Sequence, residues 1–159
     1  MTSEDSKFTD SLRLDGQVAL VSGASRGIGE AIAARLKGLG ADVFGTATSA
    51  SGAAAIEQRL GHGRGLVLDV RDPDSANACI KKIGQESAAP TILINNAAVT
   101  RDQLLMRLKD QDWLEVIETN LTGVFLTCRE ALEMMKDQGS GWILPIVSQA
   151  GKRAFLLRA

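Results

Sequence analysis

With 159 residues, 45% of them hydrophobic, the chain can bury the core of one domain and is too short for two. Lys plus Arg number 18 and Asp plus Glu 19, a net charge of -1 that excludes the basic field needed for nucleic acid or an acidic membrane and leaves a small ligand as the expected partner. Two cysteines, Cys79 and Cys128, and one histidine, His62, give neither a disulfide framework nor a metal site. No stretch approaches the roughly 18 apolar residues of a membrane span, so a soluble, cytoplasmic protein is expected.

Residues 1–13 carry no hydrophobic period and read as a flexible leader. From Leu14 onward, apolar bursts of strand length alternate with segments of helical period: Val18–Val21, Val43–Phe44, Leu66–Leu68, Ile92–Ile94 and Ile143–Val147. That alternation predicts βαβ units, hence an α/β fold with a Rossmann-like doubly wound parallel sheet and helices on both faces. The first helix starts within a glycine-rich turn, places Ile28, Ile32, Leu36 and Leu39 on its inner face and stops at Gly40. A short helix follows over Ser51 to Leu60, closed by Gly61. Asp72-Pro73 predicts an N-cap and first turn for a third helix that buries Ala76, Cys79, Ile80 and Ile83. One continuous long helix is predicted from about Asp110 to Asp137, with Trp113, Ile117, Leu121, Val124, Cys128, Leu132 and Met135 on one side. The domain is read as residues 14–151, followed by an atypical tail at 152–159.

The turn that opens the first helix is Gly23-Ala24-Ser25-Arg26-Gly27-Ile28-Gly29. Gly23 permits a tight turn at the strand end, and Gly27 and Gly29 let the helix begin close to a phosphate and pack on the sheet. The free N–H groups and positive dipole end of that helix favour a pyrophosphate without any lysine. A carboxylate normally ends the second strand of an NAD site, where it accepts from the ribose hydroxyls and repels a 2'-phosphate. Here the strand runs Gly45-Thr46-Ala47-Thr48 with no acid, and Arg26 supplies positive charge, so NADP(H) is the expected cofactor.

Several stretches resemble the short-chain dehydrogenase/reductase family: Val18 to Gly29, Gly45 to Ser49, Leu93 to Ala97, Thr100 to Lys109 and Glu118 to Phe125. Within that family the likeness is to the bacterial reductases that turn 3-oxoacyl into 3-hydroxyacyl groups on acyl carrier protein during fatty-acid elongation. The resemblance implies that Arg26 and Thr48 contact the 2'-phosphate, and that Asp69 and the backbone of Val70 meet the adenine. It also implies that Asn96, with Ala97 beside it, lines the cofactor ribose. Asn120 would hold a water in a proton relay, and Ser148 would hydrogen-bond the substrate carbonyl. Other readings stand beside these: a solvated surface arginine for Arg26, a turn or capping carboxylate for Asp69, and a structurally bonded amide for Asn120.

The chain departs from the family in three places. Ala98 stands where a glycine is usual, Pro145 falls inside the fifth strand, and no tyrosine occurs anywhere in the 159 residues. The family's proton-donating tyrosine and its lysine would follow Ser148 by a dozen residues and more, so the chain reads as truncated before them and severely impaired as a reductase. The resemblance also implies homo-oligomers, with part of that interface beyond Ala159. Two alternatives remain open from sequence: another short-chain ketone reductase, and a dinucleotide-binding protein without chemistry.

Overall fold

The computed structural model describes residues 12–148, so most of the predicted leader and all of the predicted tail lie outside it. Five parallel strands, β1 (Val18–Val21), β2 (Asp42–Ala47), β3 (Gly65–Val67), β4 (Ile92–Asn95) and β5 (Trp142–Pro145), form one sheet in the order β3-β2-β1-β4-β5. The helices are α1 (Gly27–Gly38), α2 (Ala50–Leu60), α3 (Pro73–Glu86), α4 (Asp110–Ile117) and α5 (Gly123–Gln138), with a short 3₁₀ turn at Leu105–Arg107. No helix among the described residues is long and apolar enough to cross a membrane.

Strand alternation sorts the core into two layers. Val18, Leu20, Phe44 and Leu93 face α3 and α5, where Ala76, Cys79, Ile80, Ile83, Ala131 and Met135 meet them. Ala19, Val21, Val43, Ile92 and Ile94 face the other way, onto Ala33 of α1 and Ile56 of α2. Two helices therefore cover each face, the arrangement expected of a doubly wound sheet. The caps follow the sequence signals: the Ser49 hydroxyl accepts from Gly52 N–H at the start of α2, and the Asp72 carboxylate accepts from Asp74 N–H at the start of α3.

Three expectations are corrected. The long helix is interrupted by a π-helical turn at Glu118–Thr122 between α4 and α5, and its predicted inner stripe holds only in part: Met135 is buried and Cys128 packs against the core, but Trp113, Leu121 and Leu132 are all more than half exposed. The buried line instead runs through Thr119, Gly123, Leu126, Thr127, Ala131 and Met135, because small residues let α5 approach the sheet and the loop after β3. At Gly123 a methyl group would lie 2.7 Å from Val70 Cγ2. Ile28 is likewise outward, 64% exposed, and Gly29 and Ala33 take the inner face of α1.

The fifth strand ends at Pro145 rather than Val147, and the proline disturbs no rung toward β4. Trp142 N–H donates to Thr91 O and Ile146 N–H to Asn95 O, each at 2.8 Å, so the donors of even-numbered residues face β4. Residues alternate sides along a parallel strand. Pro145 therefore places its missing N–H on the outer side, where prolines are tolerated.

Candidate cofactor site

The loops after β1 and β4 meet where the helices leave the sheet on opposite faces, the switch point at which open parallel sheets bind ligands. Ser22, buried at the end of β1, ties them together: its Oγ donates to Ile94 O at 3.3 Å and accepts from the N–H groups of Asn96 and Ala97 at 2.9 and 3.0 Å. Asn96 answers from the other side, its Nδ2 donating to the carbonyls of Ser22 and Gly23, both at 3.1 Å. Satisfying each buried polar atom this way leaves the two loops little freedom to move apart.

The three glycines of the turn are needed for three different reasons. Gly23 has a positive φ of 65°, and a Cβ there would lie 3.0 Å from Ala97 Cα. A Cβ at Gly29 would strike the Gly23 carbonyl and sit 2.5 Å from Asn96 Nδ2. Gly27 has open space around it and is required only by its φ of 60°.

No side chain caps α1, in contrast to the caps that Ser49 and Asp72 supply to α2 and α3. Helix α1 starts at the edge of a cleft of about 620 Å³, where Arg26 and Gly27 join Gly23, Ser25, Thr48, Asp69, Val70, Asn96 and Ala97 in its lining. Uncapped amides at a helix N-terminus suit a diphosphate. The cleft thus fits a dinucleotide in both size and donor chemistry. Arg26 forms no ion pair with any described residue.

The remaining predicted residues lie elsewhere. Ala24 is buried behind the turn, and neither Ile28 nor Gly29 reaches the cleft surface. Asn120 sits in the π-helical turn, and its amide is spent on the backbone of Val99, a residue that does line the cleft. Ser148 is exposed, three residues beyond the end of β5 and at the same sheet edge as Asn96. It is not among the cleft-lining residues.

Sequence reasoning missed Ser22, Arg71 and Glu115. Ser22 had a signal, as the polar residue that closes the apolar run Val18 to Val21. Arg71 shares the cleft with Asp69 and donates to both its oxygens, Nε to Oδ1 at 3.0 Å and Nη2 to Oδ2 at 2.7 Å. These hydrogen bonds hold the Asp69 carboxyl below the usual carboxylate range. Asp69 Oδ1 also accepts from the backbone N–H of Arg71 at 3.0 Å, closing a turn. Glu115, on the opposite wall, is held by Arg101 through two bonds of 2.7 and 2.8 Å.

The family model of the short chain dehydrogenases matches residues 17–159. The chain belongs to the short-chain dehydrogenase family. Among relatives in that family, the 3-oxoacyl-[acyl-carrier-protein] reductase FabG of Escherichia coli K12 is 48% identical over 141 residues, and that of Vibrio harveyi is 49% identical over 141 residues. Each match takes in 88% of this chain and 58% of the relative, so this short-chain dehydrogenase sequence spans less than two thirds of the curated proteins it resembles. Solved structures agree on the fold. A candidate short-chain alcohol dehydrogenase of Sinorhizobium meliloti 1021 superposes with a TM-score of 0.83 at 31% identity, covering 92% of this chain and 60% of its own. The structure of gox2181 does so with a TM-score of 0.87 at 26% identity, covering 96% and 61%.

Proposed function

We propose that this short-chain dehydrogenase cleft binds NADPH and serves the reduction of 3-oxoacyl groups on acyl carrier protein to 3-hydroxyacyl groups. The observation that carries the cofactor reading is the presence in one cleft of Arg26, which forms no ion pair with any described residue, and of Thr48 just after β2, where an NAD site would place a carboxylate. The substrate class rests on the activity for which the Escherichia coli and Vibrio harveyi relatives are named, and on nothing narrower. Bound NADPH supplies a hydride to the carbonyl carbon, and a proton must reach the carbonyl oxygen for the alcohol to form.

In this reading the amides of the glycine turn hold the pyrophosphate, Arg26 and Thr48 the 2'-phosphate, and Asp69 with Val70 the adenine. Asn96 and Ala97 line the ribose. Ser148 orients the substrate oxygen, and the exposed face of Trp113, Leu121, Phe125 and Leu132 serves assembly with further copies. No tyrosine is present among the 159 residues to donate the proton.

Fluorescence titration of the 159-residue chain tests the cofactor: NADPH is expected to bind about tenfold or more tightly than NADH, a difference of one phosphate contact. Equal affinities overturn it. With acetoacetyl carrier protein added, NADPH is expected to stay unoxidised. Turnover at an ordinary reductase rate would place the proton donor among residues not assigned here.

A further inference from the structure

Arg59 stands on the last turn of α2 and reaches the glycine turn from behind. Its Nη2 donates to the carbonyl of Ser25 at 3.0 Å and leans on that of Ala24 at 3.4 Å, while Nη1 lies 3.2 Å from Glu30 Oε1 on α1. The backbone from which Arg59 springs is itself held, because Lys37 Nζ donates to the carbonyls of Arg59 and Leu60 at 2.8 and 3.0 Å. A guanidinium thus ties two helices to two successive peptide units of the turn.

A trans peptide unit points its C=O and its N–H in opposite directions. Turning the oxygens of Ala24 and Ser25 toward Arg59 therefore turns the N–H groups of Ser25 and Arg26 away from it, and both of those residues line the cleft. The charge on Arg59 also polarises the two carbonyls, which strengthens the N–H groups at the far end of the same peptide units as donors. We propose that Arg59 is a positioning residue for the cofactor, setting from outside the cleft the direction of two amide dipoles that act inside it. This rests on the dinucleotide reading above. It assigns a part in ligand binding to the last turn of α2, which contributes no residue to the cleft lining.

The test compares the 159-residue chain with Arg59→Met, Arg59→Lys and Glu30→Gln, using amide hydrogen exchange without nucleotide and fluorescence titration with both NADPH and NADH. In Arg59→Met, exchange at residues 23–29 is expected to quicken while β1 keeps its protection. Because both nucleotides carry the pyrophosphate, both dissociation constants should rise by about tenfold and their ratio should hold, the size expected for losing a charge-assisted hydrogen bond. Arg59→Lys should recover part of each loss, and Glu30→Gln should leave both within about twofold, since an exposed ion pair contributes little. A folded Arg59→Met chain with unchanged exchange in the turn and unchanged affinities overturns the proposal. Should circular dichroism show Arg59→Met unfolded, Arg59→Lys decides, and its identity with the parent in both readouts is again fatal. If exchange quickens but the parent chain binds neither nucleotide, the dinucleotide reading fails and Arg59 remains only a support of the turn.

Discussion

The side chain of Asn120 clasps the backbone of Val99 with two hydrogen bonds of equal length: Nδ2 donates to Val99 O and Oδ1 accepts from Val99 N–H, each at 2.9 Å. The π-helical turn brings this amide alongside the loop after β4, so one wall of the cleft is pinned to the other. Asn120→Ala should destabilise the chain by about 1 kcal/mol, a modest figure because the site is exposed. Asn120→Asp should cost at least as much above the carboxylate range, since it removes the donor and sets a charged oxygen against Val99 O. Urea midpoints at constant m-value measure both, and midpoints equal to the parent's would mean that the clasp adds nothing to stability.

Alanine at three glycines should give three different outcomes. Gly27→Ala meets only left-handed strain and should cost about 1 kcal/mol. Gly29→Ala meets the Gly23 carbonyl and Asn96 together, so it should cost more than Gly27→Ala and loosen nucleotide binding as well. Gly38→Ala has open space and an ordinary φ at the end of α1, and should stabilise by about 0.5 kcal/mol. Denaturant titration of the three variants gives the order directly.

Cofactor choice should follow Arg26 and Thr48. Arg26→Leu is expected to weaken NADPH by about tenfold and leave NADH nearly unchanged, because only the former carries the extra phosphate. Thr48→Asp should reverse the preference by repelling that phosphate and accepting from a ribose hydroxyl. A parallel loss for both nucleotides in Arg26→Leu would move Arg26 from the 2'-phosphate to the pyrophosphate.

Asp69 should titrate below an ordinary aspartate because Arg71 donates to both its oxygens. A depressed folded-state pKa contributes stability above the unfolded value of about 3.9 and loses it as pH falls through the lower folded value. In Arg71→Leu the Asp69 carboxyl should move back up toward the usual range, which carboxyl NMR can follow. In the proposed cofactor pose, an adenine amino group would share Asp69 with the Arg71 guanidinium.

Cysteine reactivity should separate the two thiols. Burial pushes Cys79 up to about 12, and it raises Cys128 as well. The folded chain should therefore label at the less buried Cys128 first at pH 8, and at Cys79 only when it unfolds. Between the unfolded thiol value near 8.5 and the folded value of Cys79, stability should fall as pH rises, because only the unfolded thiol ionises there.

Much of this architecture is legible in the amino-acid sequence. Strand alternation sorted Leu20 from Val21, and Ser49 or Asp72 marked a helix start through chemistry that acts within a few residues. The long helix is only partly legible, because bulky apolar residues off the buried line share its period. Trp113, Leu121 and Leu132 satisfy a helical period as well as the buried line does, and bulk alone does not tell the two apart. What faces the sheet is small, Gly123 and Ala131 among it, and the π-helical turn shifts the register in a way that a strict 3.6 period does not contain. Ser22 and Arg59 act only on residues far along the chain, so their roles depend on the fold and not on local pattern.

Pro145 gives the outer side of β5 an uneven grip. A strand laid against it finds an amide at Ile143, none at the next outward position, and so a ladder with a missing rung. Foreign chains seeking an edge to extend meet a poor template there, although Trp142 and Leu144 make the same strip greasy. A strand that pairs there gives up one backbone hydrogen bond at Pro145 and can make up for it only through side-chain contacts.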